Sequence, residues 1–264
     1  MHPILFTIAG FEVRAWGVMV SLGIIAGLLV AIRVARKTEF TEEILTDYLL
    51  YGVVAGILGA RAWEVIFSWE NFTANPLHAF MFWDGGLSIQ GAVVANVLVA
   101  WWYFRKKKLS FARFADIGAP GLIIGQAIGR IGCLLNGDAY GKPTDAWFGV
   151  IYQSGTPAYN AWGAIPLIPA ELFEAVLDFG ILAGLLYLYP RKQFDGQVAL
   201  TYFIAYSLAR FGLEFLRTDS LEMGGLKVAQ VTALITAAIA CGIFVWLKSR
   251  QMKVSTASSR NRRG

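Results

Sequence analysis

Three arginines stand inside or beside long apolar stretches of the sequence, where a charged side chain is energetically unfavourable. They are Arg61, Arg130 and Arg210. An arginine at the centre of a bilayer costs roughly 2.5 to 3.5 kcal/mol on insertion scales, so each is a candidate for a functional role. A planar guanidinium group can engage two phosphate oxygens at once. The three arginines therefore indicate a site for an anionic ligand that carries phosphate.

Acidic residues follow two of these arginines at helical spacing. Glu64 comes three residues after Arg61, and Glu214 comes four residues after Arg210. Residues at these intervals share one face of a helix, so each acid is predicted to lie beside its arginine. Arg217 extends the second set to a mixed-charge face with i, i+4 and i+7 spacing. Mutual neutralisation is the structural alternative for Arg61 and Glu64.

Arg130 has no acid three or four residues before it. Asn136 and Asp138 follow it only after the predicted helix breaks at residues 136–137. We therefore interpret Arg130 as an unpaired intramembrane cation that binds a lipid phosphate. Cys133 lies in the same stretch, and its small size and apolar neighbours favour packing over thiol chemistry. Two arginines that hold one phosphate headgroup suit either a lipid-modifying enzyme or a transporter of an anionic substrate.

The composition of the chain places these residues in a bilayer. Of 264 residues, 56% are hydrophobic and 16% are charged, and the mean hydropathy is +0.54. Soluble domains carry about a quarter charged residues. The chain has only two cysteines, Cys133 and Cys241, and two histidines, His2 and His78. We therefore predict no disulfide framework, no metal site and no cofactor.

Seven apolar runs are long enough to cross a membrane, which takes about 20 residues per helix. They cover residues 15–34, 44–67, 87–104, 111–135, 169–189, 197–216 and 228–247. The tracts that remain are too short for a separate soluble domain. We therefore predict an all-α, polytopic membrane protein with seven transmembrane helices, which forms a single integral-membrane domain over residues 1–264.

The basic residues predict the orientation of the chain. Most of them lie on one set of helix flanks, namely Arg33, Arg36, Lys37, Arg105, Lys106, Lys107, Lys108, Arg113, Arg191, Lys192 and, in the tail, Lys248, Arg250, Lys253, Arg260, Arg262 and Arg263. Positively charged flanks stay in the cytoplasm. The N-terminus and the segment 136–168 are therefore predicted outside, and the basic tail 248–264 in the cytoplasm. The net charge of +5 is then a topology signal rather than a sign of nucleic-acid binding. All three intramembrane arginines lie toward the outer side.

Glycines at intervals of three and four residues predict close helix packing. The fourth apolar run carries Gly118, Gly121, Gly125, Gly129 and Gly132, and the second carries Gly52, Gly56 and Gly59. Small residues at this spacing let helix backbones approach closely in lipid.

One segment resembles a family signature. Residues 129–141 read GRIGCLLNGDAYG, which is similar to the GRxGNFxNxExxG motif of the phosphatidylglycerol:prolipoprotein diacylglyceryl transferases. Further blocks resemble that family in the same order along nearly the whole chain. They are GARAWEV around Arg61, NPLHAFMFWDGGLSIQG at 75–91, IPAELFE at 168–174, ARFGLEFLR at 209–217 and VAQ at 228–230.

The resemblance implies a seven-helix enzyme of the bacterial plasma membrane with its active site toward the outer or periplasmic face. Such enzymes transfer the diacylglyceryl group of phosphatidylglycerol to the lipobox cysteine of a prolipoprotein signal peptide. They form a thioether and release glycerol phosphate, which is the first step of lipoprotein maturation. The expected partners are phosphatidylglycerol, prolipoproteins and membrane lipids, and no nucleic acid.

The resemblance also implies roles for matching residues of this chain. Arg130 and Arg210 are expected to bind the phosphate and to stabilise the departing group. Glu214 matches the family pattern and Asp138 approximates it, and both are candidate catalytic residues. The predicted substrate-binding residues, besides the two arginines, are Arg217, Asn136, Gly141, Arg61, Gly86, Ser88, Gln90 and Trp16.

This chain departs from the family pattern at functional positions. Gln90 stands where many members have a histidine thought to take the thiol proton, and glutamine cannot accept a proton at neutral pH. Trp16 stands where relatives commonly have tyrosine. The base is therefore left open between Asp138, Glu214, a water relay and, less favoured, His78.

Two other functional classes remain as alternatives. One is a transporter or flippase for an anionic lipid or solute, although the internal repeats typical of transporters are not evident. The other is an inactive lipid-binding relative, which the departures at Gln90, Trp16 and Cys133 favour. The aromatic residues of segment 136–168 suit either docking of the precursor peptide or an interfacial aromatic belt.

Overall fold

The computed structural model describes residues 3–8, 11–73, 75–81, 85–218, 222–223 and 226–261. Within these ranges the chain is built of helices, in agreement with the predicted all-α class. They are α1 (Ala15–Ala35), α2 (Glu42–Phe67), α3 (Ile89–Lys106), α4 (Phe111–Asn136), α5 (Pro157–Trp162), α6 (Ala170–Leu188), α7 (Gln197–Leu213) and α8 (Val228–Asn261). Short 3-10 helices cover Trp69–Phe72, Pro76–Phe80 and Tyr189–Arg191.

Two small antiparallel hairpins, which the sequence reading did not predict, interrupt this helical architecture. Strand β1 (Ile4–Ile8) pairs with β2 (Phe11–Arg14), and β3 (Glu222–Met223) pairs with β4 (Leu226–Lys227). The second hairpin lies directly before α8.

Each predicted span coincides with a helix. Among the described residues, five helical stretches are long and apolar enough to cross a membrane: Ala15–Ala35, Glu42–Phe67, Phe111–Asn136, Ala170–Arg191 and Val228–Met252. The other two predicted spans correspond to α3, with 18 residues, and α7, with 17 residues. The predictions of seven crossings and of the orientation therefore rest on the sequence pattern.

Two predicted helix ends are wrong. Helix α7 ends at Leu213 instead of residue 216, because the chain turns there and its next residues pair with the segment after α4. Helix α8 continues to Asn261, beyond residue 247. Its polar extension contains neither glycine nor proline, so nothing in the sequence breaks the helix. Arg262 and Arg263 of the predicted tail lie outside the described residues.

The chain divides into two compact units. The first contains Met1–Val34 and Ala115–Gly264, and the second contains Ala35–Phe114. The boundaries lie near the end of α1 and in the first turn of α4.

In the second unit, α2 and α3 form an antiparallel pair with a glycine contact. A Cβ added to Gly59 would lie 2.6 Å from the carbonyl oxygen of Gly91, so neither backbone leaves room for a side chain. Further along, the amide of Asn96 packs against Gly52 and Gly56. The predicted small-residue packing of α2 is thereby confirmed.

In the first unit, α1 and α4 pack by the same device. A Cβ on Gly27 would lie 2.7 Å from the carbonyl oxygen of Gly121, and one on Gly23 would lie 3.0 Å from that of Gly125. Near the carboxyl end of α4, a Cβ on Gly132 would lie 3.0 Å from the Cβ of Met19. This contact places the carboxyl end of α4 beside the start of α1. The core of the unit is formed by α4, α6 and α7 around Ile123, Leu185 and Val198.

A buried aspartate connects α4 to the start of α7. Asp116 is fully buried, and its carboxylate accepts hydrogen bonds from the backbone N–H groups of Gly196 (2.8 Å), Val198 (2.8 Å) and Ala199 (3.0 Å). The ammonium of Lys192 donates a fourth bond at 2.7 Å. Burial alone would lower the pKa of Lys192, but the hydrogen bond and charge of Asp116 outweigh burial and raise it. The carboxylate thus caps α7 from another helix.

Candidate active site

Glu174 lies at the centre of a charged cluster in the first unit. It stands on α6 with Glu171 and Asp178, at spacings of three and four residues that place all three carboxylates on one face. Glu171 and Asp178 are fully buried, and Glu174 is 2% exposed. Buried carboxylates are costly unless they are paired or hydrogen-bonded, so this face of α6 demands cations and donors from its neighbours.

Arginines from two other helices meet on Glu174. Arg130 of α4 places Nη2 2.9 Å from Oε1 of Glu174, and Arg210 of α7 places Nη1 3.4 Å from Oε2. The hydroxyl of Tyr206 donates to the same Oε1 at 3.1 Å. The two arginines predicted to act together are therefore close together. The interpretation of Arg130 as unpaired is wrong, because its partner lies on another helix, where spacing within one helix cannot reveal it.

The two guanidinium groups are not sealed by this pairing. The side chain of Arg130 is 24% exposed and that of Arg210 is 18% exposed, whereas Glu174 beneath them is almost fully buried. Each guanidinium carries five N–H donors in a plane, more than one carboxylate oxygen can use. The arrangement presents an aligned pair of cations that can bind an anion from the open side.

Glu214 and Arg217 complete the cluster. Arg210 Nη2 lies 3.0 Å from Oε2 of the fully buried Glu214, which confirms the pairing predicted from their spacing. Arg217 Nη1 lies 4.0 Å from Oε2 of Glu174. The prediction that Arg217 shares a helical face with them is wrong, because α7 ends at Leu213. Arg217 reaches the cluster from the turn beyond the helix.

Gly141 holds this turn against the segment that follows α4. It forms an antiparallel bridge with Arg217, and its N–H donates to the carbonyl of Ile168 at 2.8 Å. A Cβ on Gly141 would lie 2.8 Å from the carbonyl oxygen of Ile168 and 2.9 Å from that of Leu216. The position therefore has no room for a side chain, which gives Gly141 a structural reason to be glycine.

The end of α4 carries the remaining predicted polar residues. The helix terminates at Gly137, whose φ of 72° is left-handed and whose N–H donates to the carbonyl of Cys133 at 2.8 Å. The amide of Asn136 donates to the half-buried carboxylate of Asp138 at 2.5 Å. The Cys133 thiol lies 4.0 Å from Arg130 Nη1 and beside Asp138. It therefore contacts charged groups, which the packing interpretation did not anticipate.

In the second unit, Arg61 stabilises a loop instead of pairing with Glu64. In the described part of the chain, its guanidinium hydrogen bonds all go to backbone carbonyls. The acceptors are His78, Ala79 (3.0 Å), Gly85 (2.8 Å) and Gly86 (3.0 Å). The guanidinium also lies over the ring of Phe72, 5.0 Å from its centroid. The expected Arg61–Glu64 pair is thus replaced by hydrogen bonds to four backbone carbonyls, because these converge on the guanidinium and together use several of its donors.

The same loop leads into α3 through Gly86, Ser88 and Gln90. Gly86 has a φ of 64°, and a Cβ there would lie 2.8 Å from Arg61 Nη1. The hydroxyl of Ser88 donates to the side-chain oxygen of Gln90 at 2.6 Å. Gln90 thus holds a hydroxyl in place. The structure keeps these three predicted residues together.

Two further candidates are Trp16, in the first unit, and His78, in the second. Trp16 lies in the first turn of α1 and is 47% exposed, with its Cα beside Gly132 of α4. His78 is exposed in a 3-10 helix of the second unit, and its backbone carbonyl accepts from Arg61. His2 lies outside the described residues.

Sequence reasoning missed Glu174, Glu171, Tyr152 and Tyr206. The signal was available, since Glu171, Glu174 and Asp178 interrupt an apolar run in the same way as the arginines. Tyr152, in the segment after α4, donates to Oε1 of Glu171 at 2.8 Å. Burial, reinforced by the charge of Glu171, raises the pKa of Tyr152, so the hydroxyl stays protonated and acts as a donor.

Long apolar helices and a buried network of arginines and carboxylates define a multi-pass membrane protein with a polar, charged site. Comparison with known proteins identifies it further. The family model described as prolipoprotein diacylglyceryl transferase matches residues 3–246. The chain belongs to this family.

Several curated relatives carry the name phosphatidylglycerol–prolipoprotein diacylglyceryl transferase. The protein of Gloeobacter violaceus is 36% identical over 95% of this chain and 94% of its own length. The protein of Finegoldia magna is 33% identical over 97% of this chain and 99% of its own length. That of Clostridium kluyveri is 35% identical over 96% of this chain and its entire length, 100%. The similarity thus covers nearly the full length of this chain and of each relative.

Proposed function

We propose that this enzyme transfers the diacylglyceryl group of phosphatidylglycerol to the lipobox cysteine of prolipoproteins and releases glycerol phosphate. Family membership and the names of the relatives support the reaction and both substrates. The observation that carries the mechanism is the convergence of Arg130 and Arg210, from different helices, on the two carboxylate oxygens of Glu174.

Glu174 aligns the two guanidinium groups before any substrate arrives. Their remaining donors then bind the phosphodiester of the lipid from the partly exposed side. Arg217 adds a third cation next to the same carboxylate, and Glu214 holds Arg210 through an ion pair. A preorganised set of donors needs no rearrangement when charge develops, which is the condition for effective electrostatic catalysis.

The reaction displaces phosphate from a glycerol carbon. The peptide thiolate attacks the carbon that bears the phosphate oxygen, so that a carbon–sulfur bond forms and the carbon–oxygen bond breaks. The departing glycerol phosphate carries one more negative charge than the diester. The arginines stabilise that charge in a site of low dielectric, and loss of one such donor typically costs about 10²- to 10³-fold in rate.

We assign the thiol proton to Asp138. Its carboxylate is half-buried and accepts a hydrogen bond from Asn136. It lies just after the end of α4, the helix that carries Arg130. Glu214 is a weaker candidate because it is fully buried and ion-paired with Arg210. The proton accepted by Asp138 then passes to the phosphate monoester that leaves. Gln90 positions Ser88 and takes no part in proton transfer.

We further propose seven membrane crossings, with α3 and α7 as the two additional spans. The basic flanks put the C-terminus in the cytoplasm and the N-terminus outside, in the plasma membrane of a bacterium. The charged cluster then faces the periplasmic or outer side. Gly86, Ser88, Gln90 and Trp16 stay predicted substrate-binding residues, and Arg61 shapes the loop that carries the first of them.

The proposal is tested with purified enzyme, phosphatidylglycerol and a lipobox peptide. Glycerol phosphate release and the mass gain of the peptide report the reaction, and the peptide with serine in place of cysteine is the control. We expect Arg130→Ala and Arg210→Ala to lose at least about 10²-fold in rate. The exposed Arg36→Ala, on the basic flank, serves as the matched arginine control. An inactive wild type would reject the enzyme, whereas lipid movement without product would favour a flippase.

A further inference from the structure

Lys227 contacts the backbone of the candidate site. It ends β4, directly before α8, and its ammonium donates to the carbonyl oxygens of Glu214 at 2.7 Å and Arg217 at 2.6 Å. In the structure it lies on two residues of the charged cluster.

The location explains why a cation is needed. Helix α7 ends at Leu213, so the carbonyls that follow have no intrahelical donor. A positive charge at a helix C-terminus satisfies such carbonyls and interacts favourably with the helix dipole. An ammonium has three donors in a compact group and can bridge carbonyls three residues apart.

The stretch from Glu214 to Arg217 is held from two sides. The backbone N–H of Lys142 donates to the carbonyl of Leu216 at 3.0 Å, and Gly141 bridges Arg217. On the other side, the ammonium of Lys227 holds the carbonyls at both ends of the stretch. The guanidinium of Arg217 lies 4.0 Å from Glu174, and the backbone of this turn sets where that side chain starts.

We propose that Lys227 is a positioning residue of the reaction, which fixes Arg217, and with it Glu214, beside the phosphate-binding arginines. It does not touch the reacting atoms. Its effect is exerted through the backbone at the end of α7. The inference rests on the proposed transferase function.

The test compares Lys227→Met with Lys142→Met in the full-length enzyme. Both substitutions remove one positive charge from the segments around Arg217, but the side chain of Lys142 is exposed and does not hold α7. We expect Lys227→Met to lower kcat/KM for phosphatidylglycerol about tenfold, since small displacements of positioning groups have effects up to about 10²-fold. Lys142→Met should stay within about twofold of wild type.

A double-mutant cycle separates positioning from a general loss of stability. If Lys227 acts through Arg217, the variant Arg217→Lys with Lys227→Met should be no more than about twofold slower than Arg217→Lys alone. The proposal would be overturned if the losses in kcat/KM of the two single variants multiplied in the double variant. It would also be overturned if Lys227→Met kept the kcat/KM of wild type. If Lys227→Met does not fold, as judged by its thermal midpoint, Lys227→Gln replaces it in the same comparison. Wild-type enzyme that releases no glycerol phosphate would instead reject the transferase function.

Discussion

Replacement of Glu174 by glutamine probes how the charged cluster is organised. The amide keeps the shape of the side chain but offers one acceptor oxygen where the carboxylate offers two. In the native cluster Oε1 faces Arg130 at 2.9 Å and Oε2 faces Arg210 at 3.4 Å. One guanidinium group would therefore meet an NH₂ group, which is itself a donor.

The expected magnitude follows from burial. Glu174 is 2% exposed, and breaking a buried ion pair by removing one partner costs about 3 to 5 kcal/mol. We expect about 3 kcal/mol of this cost to be lost from the stabilisation of the transition state. At 1.4 kcal/mol per factor of ten, kcat/KM then falls about 10²-fold. Tyr206 still has an acceptor available, so the fold should persist.

The assay is glycerol phosphate release from phosphatidylglycerol in the presence of a lipobox peptide. Glu39→Gln is the matched control, because it removes a carboxylate charge from a pair with Arg113 that is largely exposed. Exposed pairs contribute about 0 to 1 kcal/mol, so this variant should remain close to wild type. Wild-type kcat/KM in Glu174→Gln would refute the reasoning that this carboxylate aligns the arginines.

Three further substitutions test other parts of the structure. Asp116→Asn should lower the free energy of unfolding by about 3 kcal/mol, since one amide oxygen cannot accept four hydrogen bonds; an unchanged thermal midpoint would contradict the capping role. Gly141→Ala should reduce both thermal stability and product formation, because its Cβ would lie 2.8 Å from the Ile168 carbonyl oxygen; normal activity would show that the turn at Arg217 can relax. Tyr152→Phe should cost about 1 to 3 kcal/mol of stability by removing the hydroxyl that donates to the buried Glu171, measured by denaturation in detergent; a stability equal to wild type would show that this hydrogen bond contributes nothing.

The helices could be predicted well because their signal is local. Apolar length and flanking charge located every one of α1 to α4 and α6 to α8, and the glycines of α2 and α4 indicated real close approaches. The i, i+4 relation of Arg210 and Glu214 likewise lies within one helix, and the pair is formed. Such features depend on neighbours in sequence.

Features that depend on packing between helices could not be predicted in the same way. The partner of Arg130 is Glu174, 44 positions away on α6, and no intrahelical rule connects them. The bend after Leu213 arises from pairing with Gly141, so the helical face drawn through Arg217 failed. Arg61 found loop carbonyls, which have no signature in the sequence. The intramembrane arginines can be recognised from the sequence, but their partners on other elements can be identified only from the fold.

The central claim is that Arg130 and Arg210 hold the phosphate of one lipid. It is tested most directly by an experimental structure of the enzyme with a phosphonate analogue of phosphatidylglycerol, in which carbon replaces the scissile oxygen. We predict phosphonate oxygens within about 2.7 to 2.9 Å of guanidinium nitrogens of both arginines. A phosphonate bound away from the cluster, or held by one arginine while the other stays buried against Glu174, would contradict the account.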